Sequence, residues 1–255
     1  MSDQETKSGL GRFIGEIDQL LRGAYTSREH LRDGKINVPV GTLVFASLLM
    51  GAVYGACMGL FSAITRTDGE GWNQLLSTSL KVPLLFLLTL VVTFPSLYVF
   101  SALSRSRLGL ADTLRLLLAA VGVNLALLAS FGPVTAFFTF CTDSYPFMVV
   151  LNVSFFAIAG LIGLGFLRKA LTAALGEEGV PPASTEGESA RPVVMKQLSG
   201  TVFRVWLVIY GVVGAQMGWI LRPFVGSPDL PFEWFRTRAG NFFAAFLDNL
   251  EHLFR

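Results

Sequence analysis

The sequence predicts an all-α fold of the polytopic membrane class, with five transmembrane helices and an amphipathic interfacial helix toward each end. Three observations lead there. Five apolar runs, at about residues 40–64, 82–103, 116–140, 146–167 and 205–221, contain no Asp, Glu, His, Lys or Arg. At about 1.5 Å rise per residue, roughly 20 residues cross the hydrocarbon core of about 30 Å, and a helix satisfies its own backbone there. Charged residues make up 15% of the chain and hydrophobic ones 52%, whereas a soluble domain carries about a quarter charged residues. Finally, the basic residues fall unevenly on the two sides that five crossings define.

Residues 1–39 form an arm in which Leu10, Phe13, Ile14, Ile17, Leu20 and Leu21 recur at helical spacing, opposite Arg12, Glu16, Asp18, Gln19 and Arg22. That pattern is an amphipathic helix, expected to lie on the cytoplasmic leaflet or against the bundle, with partner binding as the alternative. The first run serves as its own insertion signal. Along it Ser47, Gly51, Gly55, Gly59 and Ala63 repeat every four residues. Small residues at this spacing open a groove for another backbone, either within one bundle or between copies. Pro95 and Pro133 interrupt the second and third runs and release the carbonyls of Val91 and Ala129; kinks are expected there, with Thr93, Ser96 and Ser130 at hand to satisfy freed groups. A short connection from Cys141 to Tyr145 reads as a hairpin, with Ser144 starting the fourth helix, which offers Ala159 and Gly163 for packing. Residues 176–200, with GEEGVPPASTEGES, read as a flexible linker. The fifth run presents a second small-residue groove at Gly211, Gly214, Ala215 and Gly218, between Trp206 and Trp219 as interfacial anchors. Residues 40–225 thus form one membrane domain. Residues 226–255 continue an aromatic segment and add a closing amphipathic helix, with Phe242, Phe243, Phe246, Leu247, Leu250, Leu253 and Phe254 on one face.

Of the 20 basic residues, 14 fall before the first run, between the second and third, or between the fourth and fifth; 6 fall on the other side. Positive residues mark the cytoplasmic side. The N-terminus is therefore expected inside and the C-terminus outside, in a bacterial inner membrane.

A net charge of +2 with dispersed basic residues excludes a nucleic-acid stripe. Cys57 and Cys141 lack further ligands for a metal, and no cofactor motif occurs. His30 and His252 accompany no nucleophile turn, so no catalytic set emerges. Asn124, Asn152 and Gln216 are the most polar residues of the runs, explained by interhelical hydrogen bonds; the sequon at Asn152 lies within a span. The most distinctive external stretch runs from Arg222 to Arg236. Its Arg222, Phe224, Asp229, Phe232, Glu233, Trp234 and Phe235 make either a turn that returns the chain to the bilayer surface or a docking platform for a partner or lipid.

The stretch PSLYVFSALSRSRLGLADTLRLLLAAVGVNLALLASFGP, within about residues 80 to 170, resembles the Yip1-type five-helix membrane proteins. That resemblance implies helical proteins tied to membrane organisation, trafficking or protein partners. The segment YGVVGAQMGWILRPFVGSPDLPFEWFR is similar to segments of bacterial multi-pass proteins, while the extension after Leu221 departs from the Yip1 pattern; no functional residue carries over. Association surfaces are plentiful and chemical groups scarce. The expected function is a non-enzymatic membrane scaffold or accessory subunit, contacting the lipid bilayer and a membrane-protein partner or a second copy of itself. The rival is a channel or passive pore of oligomerised helices with Thr93, Ser96 and Asn124 along its path; an interfacial lipid-modifying enzyme lacks an acid, base or metal set.

Overall fold

A computed structural model describes residue 15 and residues 40–67, 69–103, 110–176, 190–227, 230–236 and 240–253. The N-terminal amphipathic arm, most of the linker, and Asp229 lie outside the described residues. Six helices occur among those described, and no strand: α1 (Val40–Thr65), α2 (Gly71–Leu103), α3 (Leu110–Cys141), α4 (Tyr145–Gly176), α5 (Ala190–Leu221) and α6 (Phe242–Leu253). Four carry stretches long and apolar enough to cross a membrane, at Val40–Thr65, Gly71–Ser96, Thr113–Cys141 and Tyr145–Lys169, and α5 contributes a shorter apolar stretch, Val208–Leu221.

Two boundaries correct the sequence reading. The helix that carries the second apolar run does not begin with it: α2 starts at Gly71 and runs through Pro83 and Pro95, so Lys81, just before that run, lies inside a helix. A search for uncharged runs stops at a lysine, whereas the helical period continues past it, with Trp72, Leu76 and Leu80 exposed on one side and Gln74, Ser77, Thr78 and Lys81 buried on the other. Residues 190–200 are not linker either. They form the first turns of α5, where Pro192 sits near the helix start, the place a helix tolerates it, and no further proline follows before Pro223.

α1 is central, packing on both α2 and α3; α3 packs on α4, α2 on α5, and α6 on α4 and α5. The α1 glycine stripe decides the closest of these contacts. A side-chain carbon at Gly55 would lie 2.5 Å from the Thr78 carbonyl oxygen and 2.7 Å from Ser79 Cα, one at Gly51 would lie 2.9 Å from Pro83 Cβ, and one at Gly59 would lie 2.7 Å from Leu75 Cα. The groove is filled by α2 of the same chain. At the two ends of the stripe, Ser47 is buried and Ala63 faces Gly71. In α5 the contact is looser: Gly214 and Gly218 face Thr89 and Leu85 of α2 at 3.7 and 3.6 Å, and Gly211 faces open space.

Near Pro95 and Pro133 the hydroxyls bond other carbonyls than those the prolines release. Thr93 donates to Thr89, Ser96 to Thr93 and Ser130 to Leu127. Trp206 is fully buried and donates from Nε1 to Ser96 Oγ at 2.9 Å. It therefore seals the α2–α5 contact instead of anchoring at a lipid interface. Ser144 starts α4 as its side chain accepts from the Phe147 amide, and Asn241 starts α6 by accepting from the Ala244 amide.

Candidate functional site

The end of the bundle where α1 finishes and α2 begins holds the densest polar chemistry in the described residues. After α5 the chain turns at Arg222 and Pro223, joined by a cis peptide bond, and passes inward through Phe224, Val225, Gly226 and Ser227. Pro223, Val225, Gly226 and Ser227 are buried. Backbone carbonyls buried in a helix bundle need donors, and α2 supplies them from a single face. Gln74 Nε2 donates to the carbonyls of Pro223 at 3.1 Å and Phe224 at 2.9 Å. Thr78 Oγ1 donates to the Phe224 carbonyl at 2.6 Å, and Lys81 Nζ to that of Pro223 at 3.0 Å. Arg66, at the end of α1, reaches the Ser227 carbonyl at 3.3 Å. Spacings of four and three residues place the three α2 donors on one helical face.

Gly226 lets the turn close. Its φ is +77°, and a side-chain carbon there would sit 2.7 Å from Gln74 Cγ and 2.8 Å from Ser62 Oγ. Only glycine adopts that conformation at no steric cost. The Ser62 hydroxyl and the Gln74 side-chain oxygen Oε1, both buried here, have no hydrogen-bond partner among the described residues.

Lys81 is 2% exposed. The Phe235 ring lies 5.3 Å from its ammonium, an attraction between cation and ring face. Arg222 stacks on Trp219 with Cζ 3.7 Å from the ring centre, and the Arg236 amide donates to the Arg222 carbonyl at 3.3 Å. Burial, and then the neighbouring Arg236, push the Arg222 guanidinium below its ordinary value. Trp234 and Phe235 are 50% and 59% exposed, so large rings stand at the surface beside the turn whose carbonyls are bound inward. Phe232 packs edge-on against Trp234, and Glu233 is exposed.

A second polar centre lies deeper. Asn152 of α4 accepts from Tyr54 of α1 at 2.7 Å and from Thr135 of α3 at 3.5 Å, and donates to the Met148 carbonyl at 2.7 Å. It joins three helices. Asn124 of α3 is buried against Gly163 of α4, its carbonyl oxygen without a partner among the described residues.

The structure thus brings together Arg222, Phe224 and Phe235 with Gln74, Thr78 and Lys81, three residues absent from the sequence-derived site. Their signal was readable: polar residues at spacings of four and three, opposite Trp72, Leu76 and Leu80. It does not bring together the residues of the pore reading, because Thr93 and Ser96 bond within α2 on its α5 side while Asn124 faces α4. Cys57 and Cys141 are free, and no group of three or more His, Cys, Asp or Glu side chains suited to a metal occurs among the described residues. What this arrangement can do chemically is hold a backbone and display aromatic and cationic groups. No protein-family model, curated protein or solved structure matches this chain.

Proposed function

We propose that this protein is a five-crossing integral membrane scaffold or accessory subunit, without enzymatic activity, that presents its 230–236 segment to a membrane-protein partner. The observation that carries the proposal is a held turn beside exposed rings: residues 223–227 are tied to α1 and α2 by Gln74, Thr78, Lys81 and Arg66, the 230–236 segment joins that turn through the Arg236 amide and the Lys81–Phe235 contact, and Trp234 and Phe235 are exposed. A platform for recognition needs rings held at low entropic cost.

The fifth crossing is supported by the course of α5 along α2. Trp206 meets Ser96, Gly214 meets Thr89, Gly218 meets Leu85, and Phe224 meets Thr78. From Ser96 to Thr78 this antiparallel contact extends about 27 Å at the helical rise, close to the hydrocarbon thickness. With the basic asymmetry, five crossings set the N-terminus in the cytoplasm and the 222–255 region outside, in an inner membrane of bacterial type. There the α6 face bearing Phe243 and Leu247, both exposed, rests on the external leaflet.

The test is affinity purification of the full chain in mild detergent beside the double variant Trp234→Ala, Phe235→Ala. The expected result is a co-purifying membrane protein that the variant loses while keeping its own elution volume. A wild-type chain that is always alone, or a partner retained equally by the variant, sinks the scaffold reading.

A further inference from the structure

Where α2 begins, the usual sidedness of a helix is inverted. Trp72, Leu76 and Leu80, one every four residues, are 67%, 63% and 58% exposed, while Gln74, Ser77, Thr78 and Lys81 of the same turns are buried. A helix in water turns its polar side outward. This one turns it inward, so the medium around it is apolar. The pattern holds to the ends of the neighbouring helices, since Ile64 in the last turn of α1 and Phe140 in the last turn of α3 are exposed as well. Residues 71–81 also belong to a stretch long and apolar enough to cross a membrane. Lipid is the medium that fits.

α5 stops short of the level its neighbours reach. Gly71 packs on Ala63, which sets the start of α2 beside the end of α1. Gly218 meets Leu85, and α5 ends soon after, at Leu221; at the helical rise, the end of α5 stands about 16 Å below the start of α2. Non-helical chain covers the rest. It climbs α2, with the Pro223 carbonyl bound by Lys81, that of Phe224 by Thr78 and Gln74, and that of Ser227 by Arg66 at the end of α1. Then it returns: Phe235 meets the Lys81 ammonium, and the Arg236 amide donates to the Arg222 carbonyl. Both feet of the segment stand near the depth of Lys81.

We propose that residues 222–227 and 230–236 form a re-entrant segment whose two feet lie within the leaflet, about 10 Å below the α1–α2 connection, with Trp234 and Phe235 against lipid acyl chains. Non-helical backbone is tolerated at that depth only where protein satisfies it. This accounts for the side chains of Gln74, Thr78, Lys81 and Arg66 all being aimed at carbonyls of the segment, and for a lysine buried among them. The depth does not rest on the scaffold reading. Joined to that reading, it makes the partner one that meets these rings inside the bilayer.

The test places single nitroxide labels on the full chain in phosphatidylcholine vesicles, in a background without Cys57 and Cys141. Collisions with oxygen, which concentrates among acyl chains, are compared with collisions with a water-soluble nickel chelate. Thr67→Cys marks the α1–α2 connection and Leu80→Cys the depth of Lys81. Labels at Trp234→Cys and Phe235→Cys are expected to favour oxygen, to lie within about one helical turn of the Leu80→Cys label and to sit roughly 10 Å below the Thr67→Cys label. Labels that favour the nickel chelate at the level of Thr67→Cys overturn the proposal, provided the second measurement agrees. That measurement uses the unlabelled chain, because a label that displaces the segment would also meet water. Trp234→Phe should reduce the share of tryptophan emission quenched by phosphatidylcholine brominated in mid-chain and leave quenching by aqueous iodide unchanged. A loss of iodide quenching instead, with the brominated lipid quenching as before, puts Trp234 in water and overturns the proposal on its own.

Discussion

Gln74 shows how much one side chain can carry in lipid. Its amide nitrogen serves two carbonyls of a segment about 150 residues further along the chain and also reaches Thr78 Oγ1. Leucine has nearly the same volume and no donor, so Gln74→Leu leaves buried carbonyls short of partners at a cost of about 1–3 kcal/mol. The expected outcome is a lower melting temperature and faster proteolysis between α5 and α6, read by fragment mass; an unchanged digest would show that the turn is held by other groups. Gly226→Ala should produce the same digest by a different route, because the left-handed backbone and the approach of Gln74 both oppose a methyl group. The polar face that holds Gln74 was readable in the sequence, but its pairing with the turn at Gly226 was not. Gln74 precedes the second apolar run, and Gly226 is one glycine among 26; their importance arises from a contact between distant parts of the chain, which a local pattern does not reveal.

Among elements, α1 and α2 were legible to different degrees, for a physical reason. A four-residue repeat of small side chains writes a groove directly into α1, so Gly51, Gly55 and Gly59 could be named without coordinates. Which helix enters the groove depends on the hairpin that α2 makes, and α2 begins eleven residues before its uncharged run. The Asn152 site is the converse case: Asn152 was recognised as an interhelical bonding residue, but its partners Tyr54 and Thr135 lie on other helices and carry no mark in the sequence. The filled groove makes a clear prediction. Gly55→Leu forces a branched side chain against the α2 backbone and should destabilise the chain by about 1–3 kcal/mol or more, seen as reduced expression and melting temperature with no change in native size. A variant that keeps its stability and shifts to a smaller species would mean that the groove receives a second subunit.

At the scale of the whole molecule, the helix directions bring the ends of α1, α3 and α5 and the starts of α2 and α4 to one end, where the buried turn and the cations lie. Class and approximate spans follow from hydropathy because lipid imposes a single solvent on long stretches of chain; the polar end cap escapes that reading because it is assembled from residues whose neighbours in sequence are apolar. The proposed five crossings predict that positions 185 and 228 are reached from opposite sides. In a background without Cys57 and Cys141, Thr185→Cys should react with an impermeant thiol reagent only from the cytoplasmic face and Pro228→Cys only from the external face. Labelling of both from one face would reduce the protein to an even number of crossings. The buried turn has a further consequence in the time order of synthesis. Gln74, Thr78 and Lys81 leave the ribosome about 150 residues before the carbonyls they bind, a delay on the order of ten seconds at common elongation rates. Throughout that interval the α1–α2 hairpin carries a lysine and an amide with no internal acceptor from the turn, in or beside the membrane. Water, lipid phosphates or the insertion machinery must occupy those donors until residues 222–227 arrive to displace them.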